Sequence, residues 1–273
     1  MAVYVPLEGG LANCLFRVAA GYIAADGDTY SLSVPHSRST EACWEKLFAH
    51  WVKNDCASPV DARNVYDVEL AIDYDGRHLR RTSAHSELIG YYQNWLYFIH
   101  RLDLFLTFIS LCIVEQKEKI KAPPKKMCAI HIRGGDYELY PGQHPMIGTT
   151  NYYEKAVALL PADCQLVVFT NDTVHASDVG KTFGRPYIWV NEVIADLTDA
   201  DELYFMSLFP YIIIANSSFS LFAAYMATFI NESPSMVIAP DVWFGDDPPA
   251  VQQKSRLPPT WTVVECTKRE KKK

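Results

Sequence analysis

Short apolar runs alternate with stretches of helical spacing through the second half of this 273-residue chain, which limits the folds open to it. The runs at residues 166–169 and 211–215 are apolar throughout, as in strands that helices cover on both faces. The expected strands are residues 127–132, 166–169, 211–215 and, as the last strand, 236–239; the expected helices are residues 151–160, 203–208 and 218–228. Strands that alternate with helices predict a parallel sheet with crossover connections, so the fold class is α/β.

The first half carries a weaker form of the same pattern. It predicts a strand at residues 3–7, helices at 14–25 and 40–51, a hairpin at 67–81 and helical structure at 91–121. The sequence Ala-Pro-Pro-Lys-Lys at residues 122–126 is the best candidate for a linker. We therefore predict two Rossmann-like domains, residues 1–122 and residues 123–273.

Composition and charge exclude several classes of protein. A hydrophobic fraction of 49% supports a large core, and a net charge of −7 argues against nucleic acid as a partner. The most apolar stretch, residues 104–114, is much shorter than the roughly 20 residues of a membrane span. Seven scattered cysteines indicate reduced thiols, and no secretory signal is recognisable. We expect a soluble, cytoplasmic protein without an integral membrane span.

Ligands of a parallel α/β sheet bind at the carboxyl ends of its strands, and the loop after residues 127–132 has residues suited to this. His131 and Arg133 are two residues apart at the end of a predicted strand and therefore point to the same side. Gly134 and Gly135 let a ligand approach the backbone, and a planar guanidinium matches a diphosphate. The alternative is a structural ion pair between Arg133 and Asp136.

The loop after residues 211–215 contains Asn216, Ser217, Ser218 and Phe219, which begin a predicted helix. A Ser or Asn in this position is a common helix cap. The same position is an anion site, because free N–H groups and the helix dipole act together there. The consecutive small polar residues favour anion binding over capping alone.

Two further loops admit both a structural and a functional interpretation. Asp172 follows the strand at residues 166–169, and it either caps a turn or contacts a nucleotide base or ribose. Gly9, Gly10 and Asn13 form a strand-to-helix loop, which is either a tight turn or part of a binding cleft. This loop lacks the dinucleotide fingerprint and the P-loop lysine.

A metal site is a weaker signal. Asp73 and Asp75 resemble the Asp-x-Asp with which many sugar-nucleotide transferases hold a divalent cation, and Asp26 with Asp28 is a fainter instance. A hairpin turn at residues 75–76 explains the first pair equally well. We therefore predict neither a metal ligand nor a cofactor.

Taken in order, segments across residues 4–244 resemble the family of α-1,2-fucosyltransferases, glycosyltransferase family 11. They lie at residues 9–16 (Gly-Gly-Leu-Ala-Asn-Cys-Leu-Phe), 90–98, 131–137, 168–172, 206–220 and 237–244. The block Ile-Ala-Asn-Ser-Ser-Phe-Ser at residues 214–220, combined with the upstream His131 and Arg133, is specific.

The resemblance implies a GT-B fold, in which two Rossmann-like domains face a central cleft. Residues 1–122 would form the acceptor side, and residues 123–273 would bind the sugar nucleotide. It further implies metal-independent, inverting transfer of L-fucose from GDP-β-L-fucose to a glycan acceptor, for example to the 2-OH of galactose. A soluble form of such an enzyme is typical of bacteria or viruses.

The resemblance also assigns roles to residues. Arg133 would hold the diphosphate, His131 would lie along the nucleotide, and Asp172 would be near it. Asn216, Ser217, Ser218 and Phe219 would line the phosphate and sugar site, while Gly9, Gly10 and Asn13 would face the cleft. As general base we expect Asp136 first, then Glu8 or Glu138.

The chain departs from the family pattern at three places. Gly134 stands where the family has a second Arg, Cys14 where it has Gln, and residues 221–223 where it has Trp-Trp-Gly. Two alternatives therefore accompany the fucosyltransferase hypothesis. One is a transferase of the same fold that uses another sugar nucleotide, and the other is a non-catalytic module that binds a nucleotide or a glycan.

Overall fold

A computed structural model of the chain describes residues 2–7, 9–26, 31–33, 65–67, 79, 85–230, 234–245 and 256–268. The chain forms two compact units, residues 1–119 and residues 120–273, each with its own sheet. Among the described residues, no helix combines the length and apolar character that a bilayer crossing requires. The cleft of a GT-B arrangement remains a prediction.

The first unit contains a parallel sheet with the strand order β2-β1-β4-β3. Its strands are β1 (Ala2–Pro6), β2 (Ser31–Ser33), β3 (Val65–Asp67) and β4 (His85–Ile89). Helix α1 (Leu11–Ala24) follows β1 and is mostly buried. The predicted strand and helix are confirmed, but the helix begins at Leu11 rather than at Cys14, because Gly10 already provides the extended residue that precedes it.

The helical structure predicted at residues 91–121 consists of three short helices. They are α2 (Leu96–Ile99), α3 (Leu102–Cys112) and α4 (Val114–Lys119). Backbone outside the helical range at Arg101 (φ −134°, ψ 50°) and Ile113 (φ −106°, ψ 16°) separates them. The helix predicted at 40–51 and the turn at 75–76 lie outside the described residues, as do Glu8, Asp28, Asp73 and Asp75.

The second unit contains a six-stranded, wholly parallel sheet with the order β10-β9-β8-β5-β6-β7. Its strands are β5 (Met127–Ile132), β6 (Gln165–Thr170), β7 (Tyr187–Trp189), β8 (Tyr211–Ile213), β9 (Met236–Pro240) and β10 (Thr262–Val264). Its helices are α5 (Tyr152–Ala158), α6 (Thr173–Gly180), α7 (Val190–Val193), α8 (Asp199–Ser207) and α9 (Ser218–Ile230). Short 3₁₀ helices span Gly135–Leu139 and Ile147–Thr149. This is the predicted parallel α/β fold.

All four strands predicted in the second half are present, together with the three predicted helices. The prediction that residues 236–239 form the last strand is wrong, because β10 follows. Strand β7 and helix α6 are further elements that the apolar pattern did not indicate. Strand β7 has only three residues, all half-buried, and α6 is largely polar on its outer side.

The strand order of the second unit creates a switch point between β5 and β8. From β5 the chain adds β6 and β7 on one side, and it then returns to add β8, β9 and β10 on the other. Connections that diverge from two neighbouring strands leave a crevice at their carboxyl ends, where ligands of such sheets bind. Arg133 follows β5, and Asn216 with Ser217 follows β8, so both predicted loops lie at this crevice.

Helix α5 fixes the ends of the strands beside the crevice through two fully buried tyrosines. The Tyr152 hydroxyl donates to the carbonyl oxygens of Ile214 (2.7 Å) and Ile238 (3.1 Å). The Tyr153 hydroxyl donates to the carbonyl oxygen of His131 at 2.7 Å. Burial raises the pKa of both hydroxyls, so they remain protonated donors at neutral pH.

Candidate functional site

Arg133 lies directly after β5 and forms an ion pair with Asp136. Its Nη2 is 2.5 Å from Asp136 Oδ1, and the two side chains are 27% and 57% exposed. The guanidinium also lies over the Tyr137 ring, 5.2 Å from the ring centre. Its Nε is buried without a hydrogen-bond partner in the described part of the chain. The ion-pair alternative is therefore present, yet the guanidinium keeps a donor for a ligand.

The turn that follows Arg133 is held by the loop after β6. The Asn171 side chain forms two hydrogen bonds with the backbone of Gly134. It accepts from the N–H at 3.1 Å and donates to the carbonyl oxygen at 3.3 Å. Asp172 Oδ2 accepts from the N–H of Gly135 at 3.1 Å. Asp172 Oδ1 accepts from the N–H of His175 at 3.0 Å and so caps α6.

Both carboxylate oxygens of Asp172 are thus engaged by backbone N–H groups. The hydrogen bond from His175 is the main reason that the pKa of this carboxyl lies below its usual value, with the bond from Gly135 adding to it. The structure therefore gives Asp172 the capping role that the sequence allowed. Asp172 therefore supports the Arg133 turn, and its predicted contact with the donor nucleotide stays a prediction, because each carboxylate oxygen keeps a second lone pair.

Gly134 faces Asp172 so closely that a side chain has no space there. A Cβ at this position would lie 2.9 Å from both Cβ and Oδ2 of Asp172. Gly135 adopts a left-handed backbone (φ +63°), which favours glycine. The departure from the family pattern at Gly134 therefore has a physical reason, because the turn in this chain excludes a second arginine unless Asp172 moves.

His131 is a buried, neutral imidazole beside Arg133. It is 4% exposed, and its ring centre lies 5.4 Å from that of Phe219 in the first turn of α9. Burial, together with the charge of Arg133, lowers the pKa of His131 from 6.5 to about 3. Its Nδ1 is buried and has no hydrogen-bond partner among the described residues.

The start of α9 is anchored through Asn216, which is 2% exposed. Its Nδ2 donates to the carbonyl oxygens of Pro145 (3.0 Å) and Trp243 (3.1 Å). Its Oδ1 is buried and unpartnered within the described ranges. Ser217 is buried, whereas Ser218 and Phe219 are half-buried in the first turn. First-turn N–H groups have no intrahelical acceptor and are available to an anion.

A row of aromatic and cationic side chains extends from Arg133, and sequence reasoning missed most of it. Tyr137 stacks on His144 (ring centres 4.6 Å apart, 18° between planes), and its hydroxyl donates to the carbonyl oxygen of Asn216 at 2.8 Å. Phe244 follows at 6.1 Å from His144, and the Arg256 guanidinium lies 4.9 Å from the Phe244 ring. Burial raises the pKa of Tyr137 to about 12 and lowers that of His144.

Of these residues, Tyr137 had a signal in the sequence, since it belongs to the His-x-Arg stretch of the resemblance. His144 and Arg256 had none, because they come from loops without periodicity and meet Tyr137 or Phe244 only through the fold. Tyr137 connects the two predicted loops, touching Arg133 with its ring and Asn216 with its hydroxyl.

The loop predicted to face a cleft belongs to the first unit. Gly9 has a left-handed backbone (φ +84°), and a Cβ there would collide with the Asn13 side chain. Gly10 is exposed and precedes α1 in an extended conformation. Asn13 Oδ1 accepts from Gln93 Nε2 at 2.8 Å. The tight-turn interpretation therefore accounts for Gly9, and a role of these residues toward a substrate stays a prediction.

Acidic residues were predicted to provide the base or, less strongly, a metal site. Asp136 is paired with Arg133, Glu138 is exposed, and Asp26 pairs with Arg101 at 2.6 Å. Within the described ranges, no group of three His, Cys, Asp or Glu side chains is placed to share a cation. The identity of the base stays a prediction.

Comparison with known proteins adds to this geometry. No protein-family model matches the chain. The chain is similar to the O-antigen biosynthesis glycosyltransferase WbnK of Escherichia coli, with 31% identity over an alignment of 306 residues. The alignment covers 93% of this chain and 97% of that relative, so the likeness extends to both units.

Proposed function

Because this chain belongs to the glycosyltransferases, we propose that it transfers L-fucose from GDP-β-L-fucose to a glycan hydroxyl, with inversion at the anomeric carbon. The acceptor hydroxyl is the 2-OH of galactose or of another sugar. The motif resemblance at residues 131–137 and 214–220 supports the choice of GDP-fucose as the donor. The relative is named for O-antigen biosynthesis, and we place the acceptor in the same class of surface polysaccharide.

One observation supports this proposal above the others: three buried polar atoms without partners among the described residues lie at the end of β5 and in the two loops at the crevice. They are His131 Nδ1, Arg133 Nε and Asn216 Oδ1. A buried polar atom left without a hydrogen bond costs about 1–3 kcal/mol, so a folded protein rarely keeps several without a use. A diphosphate sugar offers anionic oxygens to Arg133 and hydroxyl donors to Asn216.

The chemistry follows from the bond that breaks. The acceptor oxygen attacks the anomeric carbon, and the electron pair of the departing C–O bond moves to the β-phosphate of GDP. Arg133 and the N–H groups at the start of α9 stabilise the charge that grows there. Electrostatic donors aimed at a developing charge are typically worth about 3–4 kcal/mol each.

The acceptor proton requires a base, and we propose Asp136. The incoming diphosphate competes for the guanidinium that now holds this carboxylate at 2.5 Å. Binding of the donor thereby releases Asp136 and leaves it beside the site, able to accept the proton of the attacking hydroxyl. A positioned base of this kind contributes roughly 10²–10⁴ in rate.

The donor and the metal requirement are tested together. The purified protein is incubated with a β-galactoside and GDP-fucose, GDP-mannose, UDP-galactose or UDP-N-acetylglucosamine, with EDTA or with Mn²⁺. We expect one deoxyhexose to be added, by mass spectrometry, from GDP-fucose alone and equally in EDTA. Transfer from a UDP-sugar, or transfer that needs Mn²⁺, contradicts the proposal.

A further inference from the structure

A cavity of about 490 Å³ lies beside the carboxyl ends of β6 and β7. Val168 and Thr170 of β6, Trp189 of β7 and Glu202 of α8 line it, together with the first turns of α6 and α7. The Thr170 hydroxyl stabilises the loop that follows it, donating to the carbonyl oxygen of Asp172 at 3.1 Å and accepting from the N–H of Asp172 at 3.0 Å. The cavity itself has no role in the chemistry described above.

Glu202 is a partly buried carboxyl in the lining of this cavity. Burial, reinforced by the charge of Asp199, raises the pKa of its carboxyl from 4.5 to about 7. Within the described part of the chain its carboxyl has neither a hydrogen-bond donor nor a cation as partner. Desolvation of this carboxyl costs free energy, and no structural partner offsets that cost. Such a carboxyl in a cavity indicates a binding position.

The other walls restrict what can occupy the cavity. Val168, Val174 and Val190 are apolar, and Trp189 adds an aromatic ring. Thr170, Thr173, Ser177 and Asn191 add polar groups to the lining, and Glu202 adds a carboxyl. An aromatic ring and apolar side chains, together with one carboxyl, suit a flat ring that has apolar faces and a polar edge.

The carboxylate further restricts the kind of ring. In the ionised form its two oxygens only accept hydrogen bonds and favour two N–H donors side by side, and such donors in turn stabilise the ionised form. Guanine presents such a pair in its ring N1–H and its 2-amino group. Uracil instead places one N–H between two carbonyl oxygens, and adenine and cytosine place their amino group beside a ring acceptor.

The cavity is also at a suitable place for a nucleotide whose diphosphate is at Arg133. Thr170 is paired with Ile132, the residue before Arg133, across neighbouring strands. Such strands are about 4.8 Å apart, a distance that a ribose and its α-phosphate easily span. Thr173 and Ser177 of α6 add hydroxyl groups to the lining of the cavity.

We propose that this cavity is the nucleobase site of the donor, and that Glu202 selects guanine by accepting hydrogen bonds from N1–H and the 2-amino group. The proposal rests on the proposed function, since it takes Arg133 as the place of the diphosphate. Trp189 provides the aromatic surface against which the base packs.

Calorimetric titration of the full chain with GDP, inosine diphosphate, UDP and inorganic pyrophosphate tests this assignment. Inosine diphosphate lacks only the 2-amino group, so its affinity relative to GDP reports the contact with the carboxylate. We expect the protein to bind GDP at least tenfold more tightly than inosine diphosphate. In Glu202→Gln this ratio should fall to near one and GDP affinity should drop at least tenfold, while pyrophosphate affinity is unchanged.

Two variants complete the design. Glu154→Gln makes the same change on the exposed surface of α5 and should behave as wild type. Trp189→Leu should weaken GDP and UDP alike without changing pyrophosphate binding. A folded Glu202→Gln protein that keeps the GDP preference overturns the nucleobase site and leaves the proposed function intact. A wild-type protein that prefers UDP contradicts the donor in the proposed function itself.

Discussion

The turn after Arg133 is packed against the next loop so tightly that position 134 has no space for a side chain. Asn171 and Asp172 supply four of the hydrogen bonds that define this arrangement, counting both bonds to Gly134, the bond to Gly135 and the cap of α6. The orientation of Arg133 therefore depends on the side chains of Asn171 and Asp172. Asn171 is a positioning residue in this account.

The close packing of Gly134 can be tested by comparing it with Gly142, a glycine that has open space around it. Gly134→Ala places a Cβ 2.9 Å from Asp172, whereas a Cβ at Gly142 meets nothing within 4 Å. We expect Gly134→Ala to lower the free energy of unfolding by about 1–3 kcal/mol, and Gly142→Ala to change it little. Urea denaturation measures both. Equal stability of the two variants would show that the turn has room to spare.

At the scale of elements, two loops and the helix between β8 and β9 form the site. Helix α9 begins with small polar residues, which suit both a helix cap and the binding of the diphosphate that we propose. Negative charge in the first turn stabilises a helix through its interaction with the helix dipole, but it repels an anionic ligand. Capping and anion binding therefore predict opposite responses to an added carboxylate.

Ser218→Asp introduces that charge at the first residue of α9. We expect the melting temperature to stay the same or rise, and the affinity for GDP to fall at least tenfold. Ser218→Asn is the matched variant without charge and should keep most of the affinity. If Ser218→Asp binds GDP as wild type does, the start of α9 is a cap and not an anion site.

The elements around the site could largely be predicted from the sequence, because β5, β6, β8 and α9 are long or strongly apolar. Local pattern could not show how neighbouring loops share atoms, so Asp172 looked equally like a cap and a ligand. The switch point explains why the loops after β5 and β8 meet. The partners of Tyr137, by contrast, come from loops without periodicity, and only the fold brings His144 onto its ring.

For the whole molecule, the cavity carboxyl links ligand binding to stability. Glu202 has a folded-state pKa of about 7, above its ordinary value of 4.5. A group whose pKa is raised in the folded state contributes its full stability at pH values below its pKa in the unfolded state. That contribution is lost as the pH rises through its pKa in the folded state. Stability from this group therefore declines between about pH 4.5 and pH 7.

Glu202→Gln removes the titrating group without removing its volume. We compare the free energy of unfolding of the variant with that of wild type. This difference should shift in favour of the variant by about 1–2 kcal/mol between pH 5 and pH 8, a range that allows for solvent reaching the carboxyl. Urea denaturation at the two pH values measures this difference, with Glu154→Gln as the surface control. A difference that does not change with pH would mean that Glu202 titrates normally.

The central claim is that the Arg133 guanidinium stabilises the departing diphosphate, and the kcat of Arg133→Lys with GDP-fucose tests it most directly. An ammonium keeps the charge but not the planar donor set. The account predicts a folded variant whose kcat falls roughly 100-fold or more. Arg101 is also ion-paired but lies in the first unit, and Arg101→Lys should keep wild-type kcat. A folded Arg133→Lys enzyme with wild-type kcat would contradict the claim.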